Sequence, residues 1–268
     1  MNDTTTPTPT LTATRGAPAD HADPTDGSPP VVPTQGVRAA WLVIGSLFAV
    51  ALLVFGTFSV VDVLAHERTT EVTTHEAVRS VLIVSGDGTV QVRTADVGEI
   101  TATAGISEGL RATGLNRSVD GDVLVLRSSC PNLGGTWCSV DWDVVVPVGT
   151  DLTVRADDDR AAAVGEFGAV DIRSEHDGVT FDGDARSVVA RSEHGNVAVR
   201  LTAPTDSVRA ISENGNVNVV VPDLDEGYRV EVSSALGNTA IGVRTDPNAA
   251  RTIEARSEDG NVMVGATP

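Results

Sequence analysis

From Ala39 to Val61 the chain runs for 23 residues without a charge, through Leu42, Val43, Ile44, Leu47, Phe48, Leu52, Leu53, Val54 and Phe55. At about 1.5 Å of rise per residue a helix of that length reaches roughly 34 Å, enough for a ~30 Å hydrocarbon core. The pattern predicts one transmembrane helix over 39–61, with Arg38 and Trp41 as anchor and interfacial aromatic at one end. A cleavable signal is the competing reading. Against it stand the length of the apolar run and the long stretch that precedes it. That stretch, 1–38, is rich in Thr, Pro and Asp and nearly free of large apolar residues, so it reads as a disordered tail. Residues 62–78 read as a linker.

From residue 79 to 268 the period changes to two. One turn recurs: Ser85-Gly86-Asp87-Gly88-Thr89-Val90, Ser174-Glu175-His176-Asp177-Gly178-Val179, Ser192-Glu193-His194-Gly195-Asn196-Val197 and Ser212-Glu213-Asn214-Gly215-Asn216-Val217. Ser234-Ala235-Leu236-Gly237-Asn238-Thr239 and Ser257-Glu258-Asp259-Gly260-Asn261-Val262 follow, and a degenerate copy begins at Ala156. Apolar residues stand four and two positions before the serine, as in Val188 and Ala190, and again just after the turn, as in Val197 and Val199. Alternation of this kind marks half-buried strands, and self-similarity at a fixed period marks stacked units. Each unit is therefore strand, tight turn, strand. Gly88, Gly195, Gly215, Gly237 and Gly260, with Asn196, Asn216, Asn238 and Asn261, are the expected turn residues. Glycine there would supply a positive φ.

An all-β domain with a β-solenoid-like stack of strand-turn-strand repeats fits this pattern, as does a β-sandwich or meander of hairpins. Recurrence of one side-chain type at one unit position favours the stack, in which the asparagines would form an amide ladder.

Composition narrows the chemistry. Aromatic residues make up 3% of the chain, too few to line a deep ligand pocket or a sugar-stacking groove. Net charge is −18, and residues from Asp62 onward carry 33 acids against 17 arginines. That field repels nucleic acid, so none is expected as a partner. Cys130 and Cys138 are the two cysteines, in a short loop with Pro131, Gly134 and Gly135, and an exported domain would join them as a disulfide.

The Gly-Asp-Gly-Thr-Val opening, Val144-Val145-Val146-Pro147-Val148-Gly149, the Ser-Glu-x-Gly-Asn-Val turns and Val219-Val220-Val221-Pro222 together resemble the putative-adhesin, β-strand-repeat domains of bacterial membrane proteins. The resemblance covers about 79–268. It implies adhesion at a cell surface and transfers no catalytic residue.

Other candidate chemistry reads more simply as structure. Arg155, Arg173, Arg191 and Arg256 precede the turn serine and Glu175, Glu193, Glu213 and Glu258 follow it, so the two columns should compensate one another on the outward face. Asp157, Asp158 and Asp159 offer oxygen ligands for Ca²⁺ without a calcium-loop spacing. Glu175/His176 and Glu193/His194 occupy positions filled elsewhere by Asn214 or Leu236, and so read as turn residues rather than as an acid–base pair.

The expectation is a non-catalytic surface domain without cofactor or metal, on a single-pass plasma-membrane protein whose N-terminus is cytoplasmic. It would bind, adhere or space within the cell envelope, with an envelope component or membrane protein as partner. An envelope-stress regulator is the alternative, and a polysaccharide-active enzyme the third reading. Nothing caps the final repeat at Val262, Met263 and Val264, so its edge is expected to pair with another copy or a partner strand.

Overall fold

The computed structural model describes residues 35–64, 67–108, 113–130, 138–158 and 160–267. A helix, α1, covers Gln35–Leu64. It starts four residues before the apolar run, so 35–38 are helical rather than part of a tail, and 1–34 lie outside the described residues. Its side chains are described over 41–57, where Trp41, Leu42, Leu53 and Phe55 are all exposed. Among the described residues no helix is long and apolar enough to cross a membrane. The span expected over 39–61 extends beyond the described side chains.

From residue 67 the chain is mostly strand. The first is β1 (Glu67–Glu76), then the repeat pair β2 (Ser80–Ser85) and β3 (Val90–Ala95). Next come β4 (Glu99–Glu108), β5 (Gly114–Asp120), β6 (Val123–Ser129) and β7 (Cys138–Pro147). The regular units supply β8 (Asp151–Ala156), β9 (Ala161–Ser174), β10 (Val179–Ser192), β11 (Val197–Leu201), β12 (Ser207–Asn214) and β13 (Val217–Val221). The last strands are β14 (Arg229–Ser234), β15 (Thr239–Gly242), β16 (Thr252–Asp259) and β17 (Val262–Ala266).

All of them belong to one hydrogen-bonded sheet. The expected linker over 62–78 is corrected: 62–64 close α1, and β1 pairs antiparallel with β4 from Glu67↔Glu108 to Glu76↔Glu99. Its Thr- and Glu-rich sequence has β-branched residues but no apolar alternation, which is why the pattern did not reveal it.

The strands flanking a repeat turn form no antiparallel hairpin; where they pair with each other, as β8 with β9, β9 with β10 and β10 with β11, they do so in parallel. Each pairs in parallel, in register, with its equivalents. One ladder runs β6, β2, β8, the second half of β9, the second half of β10, β12, β16, β14. The other runs β7, β3, the first half of β9, the first half of β10, β11, β13, β17, β15. β9 and β10 pass from one ladder to the other, joining them. At that corner a Cβ on Gly183 would lie 2.0 Å from the Gly165 carbonyl oxygen.

The core lies between the ladders, built by period-two alternation. Val81, Leu152, Val170, Val188, Val208 and Ile253 face inward on one side, and Val90, Ala161, Val179, Val197, Val217 and Val262 on the other, all buried. Trp142 is among the largest fully buried side chains there, and its Nε1 donates to Ser128 Oγ at 3.1 Å.

The order of layers is not the order of the chain. β2 and β3 lie between the β6/β7 layer and the next, although they come first. At the far side the last repeat, β16/β17, is inserted between β12/β13 and β14/β15. The C-terminal repeat is therefore not an edge, which corrects the expectation drawn from Val262–Val264. The outermost layer there is β14 and β15, with the segment 244–246 bridged to Tyr228 just before β14. At the opposite end β5 lies antiparallel on β6, while β4 lies antiparallel on β7 and is itself covered by β1.

Candidate functional site: the stacked turns

The repeated turns lie one above another along the stack, and hydrogen bonds at each position tie neighbouring layers. Ser192 Oγ accepts from the Gly195 N–H at 2.8 Å and donates to the Asp177 carbonyl of the layer before at 2.8 Å. Ser212 donates to the Gly195 carbonyl, Ser257 to that of Gly215 and Ser234 to that of Gly260. Ser85, Ser174, Ser192, Ser212 and Ser257 are buried, so each hydroxyl needs such partners. Sequence reasoning did not assign the serines this role; their recurrence at one unit position is the signal that could have found it.

The glycines serve close stacking. A Cβ on Gly195 would meet the Asp177 carbonyl carbon at 2.3 Å, one on Gly215 the Gly195 carbonyl oxygen at 2.4 Å, and one on Gly237 the Gly260 oxygen at 2.0 Å. The expected left-handed turn conformation is corrected for these three, which have no positive φ, while Gly88 has φ 119° and Gly260 lies near extended at 159°. Backbone contact between layers is the reason for glycine here.

The asparagines stack in the order of layers. Asn216 donates its backbone N–H and its Nδ2 to Asn196 Oδ1 at 2.8 and 3.3 Å. Asn261 donates in the same way to Asn216, and Asn238 to Asn261.

Outside the ladder, Arg155, Arg173 and Arg191 sit opposite one another on adjacent strands and line a shallow groove with Glu175 and Glu193. The pairings differ in part from the expected Arg–Glu columns. Arg191 reaches Glu213 at 2.7 Å, but Arg173 pairs with Asp171 on its own strand, which raises its pKa. Arg256 bridges Glu254 and Glu231. His176 and His194 stack with ring centroids 5.5 Å apart, His176 Nδ1 lying 2.9 Å from Asp158. Burial and the neighbouring charges of Asp158 and Asp157 push the Asp87 carboxyl up from its ordinary value. Burial does the same to Tyr228, whose hydroxyl donates to the Pro222 carbonyl at 2.8 Å.

Asp159 lies outside the described residues. Among those described, no group of three His, Cys, Asp or Glu side chains is placed to hold a metal ion. Cys130 and Cys138 form a disulfide with Cα atoms 5.7 Å apart, joining the end of β6 to the start of β7 and so one ladder to the other.

No family model matches the chain, and no curated protein matches it. Among solved structures it is similar to a putative cell adhesion protein from Clostridium sporogenes, at 11% identity and a TM-score of 0.49, covering 75% of this chain and all of that one. A putative adhesin from Bacteroides fragilis shares 11% identity with a TM-score of 0.40, covering 75% of this chain and 97% of the other. A third, from Parabacteroides distasonis, shares 10% identity with a TM-score of 0.32, covering 74% and 97%.

Proposed function

We propose that the chain is a membrane-anchored, non-catalytic binding module of the adhesin kind, with α1 spanning the plasma membrane and the β-repeat domain displayed outside as a β-solenoid. The observation that carries this reading is the conjunction of two neighbouring features. An apolar helix with exposed large side chains leads, two residues after its end, into a domain closed by a disulfide. Exposed apolar side chains at Leu42, Leu47, Leu52 and Phe55 suit hydrocarbon, and a structural disulfide suits an oxidising compartment. The family resemblance of the turns supports the surface role, and the acidic field keeps nucleic acid away.

Parallel in-register ladders on both sides of one core support the solenoid. The outward surface offers shallow grooves and stacked Arg, Glu and Asn columns, which suit recognition of an extended envelope component. Protease added to intact protoplasts should remove the β-repeat domain and spare an N-terminal tag. The reverse protection pattern would overturn the topology.

A further inference from the structure

One sheet margin of the domain is long, regular and bare. All ten residues of β1 pair with β4 in an unbroken register, and among the described residues nothing pairs with the other side of the strand. Edges in natural sheets are blunted by shortness, proline, lysine or a bulge. β1 has none of these, and its four threonines and one valine favour strand.

The direction of its amides follows from the ladder behind it. Val140 and Trp142 donate their N–H groups to the Asp87 and Thr89 carbonyls, away from β4, so their neighbours Ser139, Asp141 and Asp143 face β4. The partners of these, Ser107, Gly105 and Thr103, point back to β7, which leaves Ala102, Ala104 and Ile106 to bond Thr73, Glu71 and Thr69 of β1. Arg68, Thr70, Val72, Thr74 and Glu76 therefore hold their N–H and carbonyl groups to the open side. Their side chains share the outward face and are all exposed, Val72 at 62%. Arg68 and Glu76 have no ion-pair partner among the described residues, whereas Glu71 on the other face is held by Arg117 at 2.9 Å.

We infer that this margin pairs with the same margin of a second copy of the chain, β1 antiparallel to β1 about a two-fold axis at Val72. The strand is self-complementary in that register. Val72 lies opposite Val72, and on both sides of the axis Thr70 lies opposite Thr74 and Arg68 opposite Glu76 of the second copy. Each of these pairs sets outward N–H groups against outward carbonyls, so the ladder runs on across the axis. Moving the axis by one residue either way loses both Arg68–Glu76 pairs, so charge selects the register. On the inward face Glu71 then meets Thr73, and no two like charges stand directly opposite. Each copy has one β1, so the contact closes at two. It concerns assembly, and does not depend on the binding role proposed above.

The test is amide exchange on the full chain in detergent, from low to high micromolar concentration. The Thr70, Val72 and Thr74 amides should slow by at least about tenfold as concentration rises. Those of Thr69, Glu71 and Thr73 are bonded to β4, and should stay protected throughout, reporting an intact strand. Arg68→Glu sets like charges across the axis twice and should abolish the gain in protection, and Arg68→Glu with Glu76→Arg should restore it. Outward amides that exchange at one rate across the range, fast because nothing covers them or slow because the chain itself does, would overturn the contact. So would protection indifferent to Arg68→Glu, or not restored by the double exchange.

Discussion

Gly215→Ala separates two accounts of the turn glycines, because they predict opposite signs. Gly215 has no positive φ. If conformational freedom alone mattered, alanine would stabilise the domain by about 0.4–1 kcal/mol through the unfolded chain. The stacked layers say otherwise. A Cβ at 215 would stand 2.4 Å from the Gly195 carbonyl oxygen, 2.6 Å from its carbon and 3.0 Å from the Asn196 nitrogen, all of them backbone. The turn below must move by nearly an ångström. Two bonds are strained by that movement, Ser212 Oγ to the Gly195 carbonyl and Asn216 N–H to Asn196 Oδ1, each 2.8 Å.

Overpacking at roughly 1–3 kcal/mol, with two weakened hydrogen bonds at roughly 0.5–1.5 kcal/mol each, gives a loss of about 2–6 kcal/mol. Gly86→Ala is the control: it lies in the first repeat turn, has no positive φ, and nothing stands within 4 Å of its added carbon. It should be neutral or slightly stabilising. Denaturant unfolding of the two variants in detergent, with circular dichroism at a strand wavelength, reads the difference. A Gly215→Ala protein as stable as Gly86→Ala would refute the close-stacking explanation.

Val197→Asp should lower the melting temperature sharply, because Val197 is 1% exposed between Val179 and Val217 and the charge would be unpaired, whereas Glu193→Gln should change it little. Similar shifts in the two variants would mean that the inward and outward faces are wrongly assigned. Cys130 and Cys138 should resist alkylation until reduced, and the double serine variant should lose about 2–3 kcal/mol, the chain-entropy value for so short a loop. Asp87→Asn should stabilise the domain near neutral pH. A carboxyl whose folded pKa is raised is destabilising once ionised, so the penalty is complete above the folded value and fades as pH falls towards the unfolded one. The gap between variant and parent in a pH series of unfolding curves should therefore close on acidification, and a gap that widens would contradict the sign.

Period-two alternation made most of the domain legible. The inward residues Val188, Ala190, Val197 and Val199 follow from the sequence because burial acts on single positions, and the disulfide because its two cysteines stand close in the chain. β1 was not legible, because a Thr- and Glu-rich strand at a sheet margin carries no apolar period. Nor was the order of layers, since every repeat presents the same pattern to its neighbours and pattern alone cannot say which neighbour it meets. A weak trace existed. Turn serines are 18 residues apart from Ser174 to Ser192, but 22 and 23 apart along Ser212, Ser234 and Ser257, the extra residues crossing one layer outward and back. The pairing choices of Arg173 and Arg256 depended on side-chain reach, which column reasoning does not resolve.

The displaced last repeat bears on how the domain is made. During synthesis the chain emerges from its N-terminal side, so β12/β13 and then β14/β15 are made before residues 252–266 are. Until those residues arrive, the layer between them is vacant, and β14/β15 has neither neighbour. Residues 252–266 thus act as an inserted wedge that fills the stack from within. A nascent chain stalled before Thr252 holds an open apolar slot along β12/β13, and loses an interior layer rather than a terminal one. Closure of the stack is therefore tied to synthesis through β17, and a chain that stops before Thr252 leaves that slot open to proteases.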